Sequence, residues 1–291
     1  VTDNKKYLGR GALLLATLIW GLSFVLMDLA VGTLPVLFVL AVRFSGAAVI
    51  MLLIGIRELK KLDKSYLAGG VLAGTLLFAA YAFQTYGLPL TTPGKNAFLT
   101  AVYCIIVPFL AWMFYKKKPD GYNILAAVIC IAGIGLISLK SDLTIGLGDA
   151  LTLVCGFLYA LHIITCGHFI EGRSAVLFTM LQFATAGILA WGGSLLFETM
   201  PSAIPLGAGL NLAFLTVMST ALCIFLQVFG QKHTPPAQAA VIMTLEAVFG
   251  ALASVLLIGE LVSFQLFCGF VLTFAAVIIS ETKLAFFRKK E

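Results

Sequence analysis

Leu34–Ile56 reads LPVLFVLAVRFSGAAVIMLLIGI, and Arg57-Glu58-Leu59-Lys60-Lys61 follows at once. A helix needs about 20 apolar residues to cross a hydrocarbon layer ~30 Å thick, and this run supplies them. It lacks the period-two alternation of a strand in a membrane barrel. It carries one charge, Arg43, near its middle, and ends in a knot of basic residues. The same pattern recurs along the chain. Of 291 residues, 61% are hydrophobic and only 11% charged. That composition cannot cover a soluble core with polar surface, and it excludes a disordered or collagen-like chain.

Ten such runs are predicted, at Gly11–Met27, Leu34–Ile56, Tyr66–Leu88, Ala97–Tyr115, Tyr122–Leu139, Ala150–His168, Ala175–Phe197, Leu206–Phe229, Ala237–Ile258 and Ser263–Ser280. The expected fold class is an all-α integral membrane protein with ten transmembrane helices. With the N-terminus in the cytoplasm, 16 of the 19 Lys and Arg residues fall on the cytoplasmic side. Only Lys95 and Lys140 fall opposite, and Arg43 lies within a span. Such a bias is the positive-inside signature, so both termini are expected in the cytoplasm. The net charge of +6 is therefore read as topology and not as a nucleic-acid surface. The six cysteines sit in apolar runs without a CxxC pair, which indicates neither a disulfide framework nor a metal site. Lys5, Lys6 and Arg10 precede the first apolar run as in a signal peptide, but no small-residue cleavage site follows, so the run is kept as the first helix.

Thr91-Thr92-Pro93-Gly94-Lys95-Asn96-Ala97 resembles Thr234-Pro235-Pro236-Ala237-Gln238-Ala239-Ala240, and each opens a span. Arg43-Phe44 in span 2 corresponds to Gln182-Phe183 in span 7. The offset is five spans, an odd number, so two five-helix repeats, residues 1–140 and 141–291, lie inverted to each other. Inverted repeats of this kind build secondary transporters whose solute site is near midplane.

Trp20-Gly21-Leu22-Ser23-Phe24-Val25, Arg43-Phe44, the Thr91-to-Pro108 stretch, Gly148-Asp149-Ala150-Leu151, Leu245-Glu246-Ala247-Val248-Phe249 and Gly259-Glu260 together resemble the EamA-type, ten-span branch of the drug/metabolite transporter superfamily. The resemblance covers essentially the whole chain. It implies a 5+5 inverted repeat and carriage of small metabolites, often amino acids and often outward. One departure is that Lys116-Lys117 stands where the second half has Gly259-Glu260; no role is carried onto Lys117.

Polar residues in spans need something to satisfy them. Helical spacing places Thr17, Trp20, Gly21, Phe24 and Asp28 on one face of span 1. Tyr81, Gln84 and Thr85 group in span 3, Asn96, Thr100 and Tyr103 in span 4, Cys155, Tyr159, His162 and Cys166 in span 6, and Ser219, Cys223 and Gln227 in span 8. Spans 5 and 10 have no such stripe. The expectation is a central path lined by spans 1–4 and 6–9, with 5 and 10 outside. Arg43 and Glu246 are each placed roughly 14 Å deep at 1.5 Å per residue, where an ionised group requires a partner or a wet cavity. The candidate substrate-binding or coupling residues are Glu246, Arg43, Trp20, Phe24, Tyr81, Gln84, Tyr103, Tyr159, His162 and Gln182. Tyr86 joins the aromatics suited to stacking on a solute. Asp28, Lys95 and Glu260 are expected as interfacial anchors.

Two rival classes are weighed. Gly146-Leu147-Gly148-Asp149 matches the GxGD of intramembrane aspartyl proteases, but that chemistry needs a second close carboxylate. No tyrosine–aspartate partner occurs in any span, and Asp149 is read as a helix cap. A channel would need a filter loop or a ring of like charges, and neither is present. The expectation is a carrier and not an enzyme, with no cofactor. It moves a small organic solute across the bacterial inner membrane by alternating access, with protons as the candidate coupling ion and Glu246 as their carrier.

Overall fold

The computed structural model describes residues 3–116, 118–138, 145–234 and 236–283. Lys117, Lys140 and Pro235, used above for topology and repeat alignment, lie outside the described residues. Among the described residues the chain is helical and has no strand. The helices are α1 (Asp3–Val31), α2 (Val36–Gly55), α3 (Lys64–Gly87), α4 (Pro93–Thr100), α5 (Tyr103–Tyr115), α6 (Gly121–Ser138), α7 (Leu147–Phe169), α8 (Ala175–Phe197), α9 (Leu206–Phe214), α10 (Cys223–His233), α11 (Pro236–Ile258) and α12 (Phe264–Thr282). A π-helical segment, Leu215–Leu222, joins α9 to α10 without a break.

Seven helical runs are long and apolar enough to cross a bilayer: Tyr7–Val31, Val36–Lys61, Lys64–Leu90, Pro93–Tyr115, Leu147–Phe169, Ala175–Phe197 and Leu206–His233. Three shorter apolar helices, Gly121–Ile137, Ile242–Ile258 and Phe264–Ile279, stand where the remaining three spans are expected. The chain is a multi-span membrane protein.

Two expected spans depart from regular α-helix. Ala97–Tyr115 is divided at Ala101–Val102, where hydrogen bonds tighten to the i→i+3 pattern (Val102 N–H to Leu99 O, 3.4 Å; Cys104 N–H to Ala101 O, 3.1 Å). Leu206–Phe229 contains the π segment, whose extra residue per turn rotates Ser219 and Thr220 relative to the α-helical register. Apolar periodicity does not register either change.

The principal helix pairs are α2 with α8, α6 with α12, α1 with α11, α3 with α7 and α8, α1 with α10, and α4 with α11. Glycines set several of these distances. A Cβ on Gly21 would meet Phe249 Cβ at 2.4 Å, and one on Gly74 would meet the Gln182 carbonyl at 2.5 Å, so the backbones approach as small residues allow in a membrane.

α2 follows Pro35 and has no cap of its own. Its first N–H groups are met from α8, 160 residues on: Leu37 and Phe38 donate to the Glu198 carboxylate at 2.8 and 2.9 Å. Ser194 also donates to Glu198, at 3.0 Å, and Tyr86 at 3.4 Å. An anion at a helix N-terminus meets both the free donors and the dipole. Glu198→Ala is expected to lower stability by about 1–2 kcal/mol, and Glu198→Gln by less. The midpoint of thermal aggregation in detergent reads the order; equal midpoints for the three proteins would contradict it.

On the opposite face, Lys283 ends α12 and forms an ion pair with Asp120 ahead of α6. This partner holds the Asp120 carboxyl below its ordinary value. The stabilisation is therefore present at neutral pH and is lost only as pH falls through that lowered value. Both side chains are well exposed, so the contribution is small.

Candidate functional site

A cavity of about 590 Å³, its open mouth included, lies between the helices. α1 contributes Trp20, Ser23, Phe24 and Met27, α2 contributes Arg43, and α3 contributes Tyr81, Gln84 and Thr85. Thr100 and Tyr103 flank the α4–α5 break; Tyr159 and Ile163 come from α7, Ser219 from the π segment, Gln227 from α10, and Met243 and Glu246 from α11. α6 and α12 contribute nothing to it. Neither does α8, which the sequence assigns to the path.

Arg43 is 2% exposed. Its Nε donates to Thr220 Oγ1 (3.0 Å), Nη1 to Met27 Sδ (3.2 Å) and Nη2 to Ser219 Oγ (3.3 Å), and Cζ stands 5.0 Å from the centre of the Tyr81 ring. No carboxylate pairs with it among the described residues. The π segment presents both hydroxyls to the guanidinium, and the Ser219 carbonyl accepts from the Trp20 indole N–H at 2.9 Å. Cation–π contact and hydroxyl acceptors orient an arginine but do not neutralise it.

Glu246 is 6% exposed and also lacks an ion-pair partner among the described residues. Beside it is Tyr103, whose hydroxyl has no well-formed hydrogen bond among the described residues. Between the two charges runs a row of rings. Tyr81 meets Tyr159 edge to face at 5.7 Å, and Tyr159 meets Tyr103 at 6.4 Å. Gln84 Nε2 donates to Thr100 Oγ1 at 3.0 Å on the cavity wall. The arrangement offers a cation and a carboxylate at separate points of one aromatic-lined space. The pairing of Arg43 with Glu246, which depth alone had left open, does not occur.

Of the ten sequence candidates, Glu246, Arg43, Trp20, Phe24, Tyr81, Gln84, Tyr103 and Tyr159 face the cavity. His162 and Gln182 do not. They are fully buried between α7 and α8, where His162 Nε2 meets Gln182 Oε1 at 2.7 Å and Cys166 Sγ lies 3.3 Å from the same nitrogen. His162 Nδ1 and Gln182 Nε2 have no partner among the described residues, and each unmade buried bond costs about 1–3 kcal/mol. Tyr86 is exposed and serves Glu198 instead. Met27, Met243 and Thr220 were missed. The methionines give no polar signal, and Thr220 depends on the π register.

Beyond Leu88 a polar clamp ties the helix ends together. Lys95 pairs with Asp149 at 3.1 Å, and Thr91 donates to the same carboxylate at 2.5 Å. Gly259, at φ 67°, turns the chain after α11 so that Glu260 reaches the N-terminus of α4. There it accepts from Gly94 N–H at 3.0 Å and from the hydroxyls of Thr92 and Ser254. A side chain at position 94 would collide with that carboxylate at 2.8 Å. Asp149 and Glu260 are thus partners of one loop, Thr91–Lys95. Asp149 does not cap its own helix, and no second carboxylate pairs with it among the described residues.

The family described as "EamA-like transporter family" matches residues 8–139 and again 146–282. A protein named "Uncharacterized transporter" from Archaeoglobus fulgidus is 29% identical over 269 residues, 92% of this chain and 84% of that relative. "Uncharacterized transporter YoaV" of Bacillus subtilis is 27% identical over 203 residues, 64% of this chain and 66% of that protein. A solved crystal structure superimposes with TM-score 0.71 at 14% identity, covering 99% of this chain and all of that one; at that identity the likeness is one of fold.

Proposed function

We infer function from one premise: the chain belongs to the EamA-like transporter family. On it we propose a secondary transporter that carries a small zwitterionic metabolite, an amino acid or related solute, outward across the inner membrane by alternating access. The carrying observation is the cavity itself. Among the described residues it holds a buried cation without a carboxylate partner and a buried carboxylate without a cation partner, with three tyrosine rings between them. A solute with a carboxylate, an ammonium and an apolar body answers all three. Arg43 takes the carboxylate, Glu246 the ammonium or a proton, and Trp20, Phe24, Tyr81, Tyr103 and Tyr159 the body, while Gln84 bonds polar edges.

The ten spans form two inverted repeats, 1–140 and 141–291. In support, the family matches in two stretches and the helix pairings are self-consistent under a five-span shift. α3 with α7 answers α10 with α1, α4 with α7 answers α11 with α1, and α2 with α8, α6 with α12 and α4 with α11 each map onto themselves. Both termini are cytoplasmic, on the charge bias of the sequence. Accordingly, a cysteine replacing Lys61 is expected to resist an impermeant thiol reagent outside intact cells, and one replacing Ser202 to label. The reverse pattern would invert the topology.

The test of function is a thermal-shift panel on purified protein, followed by flux in liposomes. Zwitterionic amino acids are expected to raise the melting point more than their decarboxylated amines or amides, and hits to show saturable counterflow. Stabilisation by sugars or quaternary amines alone would overturn the zwitterion, and flux without counterflow would indicate a channel.

A further inference from the structure

The buried cluster of α7 and α8 has a partner in the first half of the chain. Met27 and Arg43 are bonded across 16 positions, and Cys166 and Gln182 are bonded across 16 positions. Trp20 stands seven residues before Met27, and Tyr159 seven before Cys166; Ser23 and His162 each stand four before. Phe44 and Phe183 follow Arg43 and Gln182, and their rings meet at 6.3 Å where α2 packs on α8. The two sets thus stand at matching spacings in the two halves of the chain.

They differ in access. Trp20, Ser23, Met27 and Arg43 all line the cavity, whereas of the second set Tyr159 alone does. His162, Cys166 and Gln182 are wholly buried, with the imidazole Nδ1 and the amide Nε2 unpartnered among the described residues. The neutral tautomer that completes the 2.7 Å contact with Gln182 Oε1 has its ring proton on His162 Nε2, and in that tautomer Nδ1 is a bare acceptor. The cluster therefore holds one unused acceptor and one unused amide donor.

We propose that His162, Gln182 and Cys166 form a second half-site for the solute, shut in the present state and open to the cavity when the protein faces the other side. This rests on the inverted-repeat, alternating-access reading above, in which each half in turn takes the arrangement of the other. The ligand is the charged end of a zwitterion. Its carboxylate leaves the Arg43 guanidinium for the Gln182 amide N–H, and its ammonium donates to His162 Nδ1. Both unmade bonds are then made, in the state where the Arg43 side is shut.

The experiment uses the full chain with Cys166 as its sole native thiol and methyl methanethiosulfonate as the probe, read by intact mass. A Thr91→Cys, Asp149→Cys pair, joined beforehand by a short bifunctional thiol reagent, holds the outer clamp closed. Cys166 is expected to react about tenfold more slowly in the bridged protein than in the unbridged one. In a Cys166→Ala background, Met27→Cys is expected to respond oppositely, reacting faster when bridged. Lys95→Ala, which opens the clamp without added thiols, is expected to speed Cys166. If Met27→Cys responds to the bridge while Cys166 stays silent throughout, the half-site is overturned and alternating access stands. If neither responds, the alternating-access reading falls and the half-site with it.

Discussion

Glu246→Gln is expected to give a folded protein that exchanges solute at equal pH on both sides but no longer accumulates it when a pH difference is imposed. Glutamine keeps the volume and hydrogen-bonding capacity of the side chain and loses only the titrating proton. Accumulation driven by pH in liposomes should fall on the order of tenfold, to the level of the control without a gradient. The thermal midpoint should move by less than about 3 °C, because no ion pair is lost. The competing role, a carboxylate kept to neutralise Arg43, forecasts otherwise. Glu246→Gln would then destabilise the protein, and Arg43→Gln would rescue it. Three of the five Arg43 N–H groups donate to Thr220, Met27 and Ser219 and none to Glu246, so no rescue is expected. Full pH-driven transport in Glu246→Gln would remove the carboxylate from coupling altogether.

Arg43→Ala is expected to weaken solute binding by about thirtyfold or more, since a buried charge-assisted contact is worth about 2–5 kcal/mol. Arg43→Lys should recover only part of this. Lysine keeps the charge but cannot reach Thr220, Ser219 and Met27 together while lying over the Tyr81 ring. The control is a solute analogue without a carboxylate. Its affinity, measured by calorimetry, should be nearly the same for the wild type and both variants. An analogue that suffers as much as the parent solute would make Arg43 a packing element and not an anion site.

Much of the fold could be read before any coordinates. The apolar runs place the helices within about four residues, except that α1 starts eight residues before its run, because burial in lipid demands length and apolarity and little else. Stripes at i, i+3 and i+4 marked Trp20, Tyr81, Tyr103 and Tyr159 for the cavity wall, and two charges deep in spans marked Arg43 and Glu246. The same stripes misplaced His162, and the match of Arg43-Phe44 to Gln182-Phe183 misplaced Gln182. Periodicity gives the face a residue occupies, not the neighbour that covers it, and α8 covers that face of α7. The anchors Lys95 and Glu260 were likewise seen as single end-of-span charges. Their use, clamping one loop, depends on pairings across 54 and 166 positions. The break at Ala101–Val102 and the π segment at Leu215–Leu222 leave no trace in hydropathy at all.

Nearly all the principal helix contacts join residues before 140 to residues after 145, and this bears on how the protein is made. When the ribosome has delivered α1 to α6, the membrane holds hydrophobic rods with few companions: α1 awaits α11, α2 awaits α8, and α6 awaits α12. Translation of the remaining half takes roughly ten to thirty seconds. Throughout that interval Arg43 sits in or near lipid without Ser219 and Thr220. The nascent half is thus a client for insertases and membrane proteases, and a premature stop codon in the second half would yield a product destined for clearance. The same interlock predicts that the two halves, synthesised as separate polypeptides in one cell, find each other and restore a working transporter.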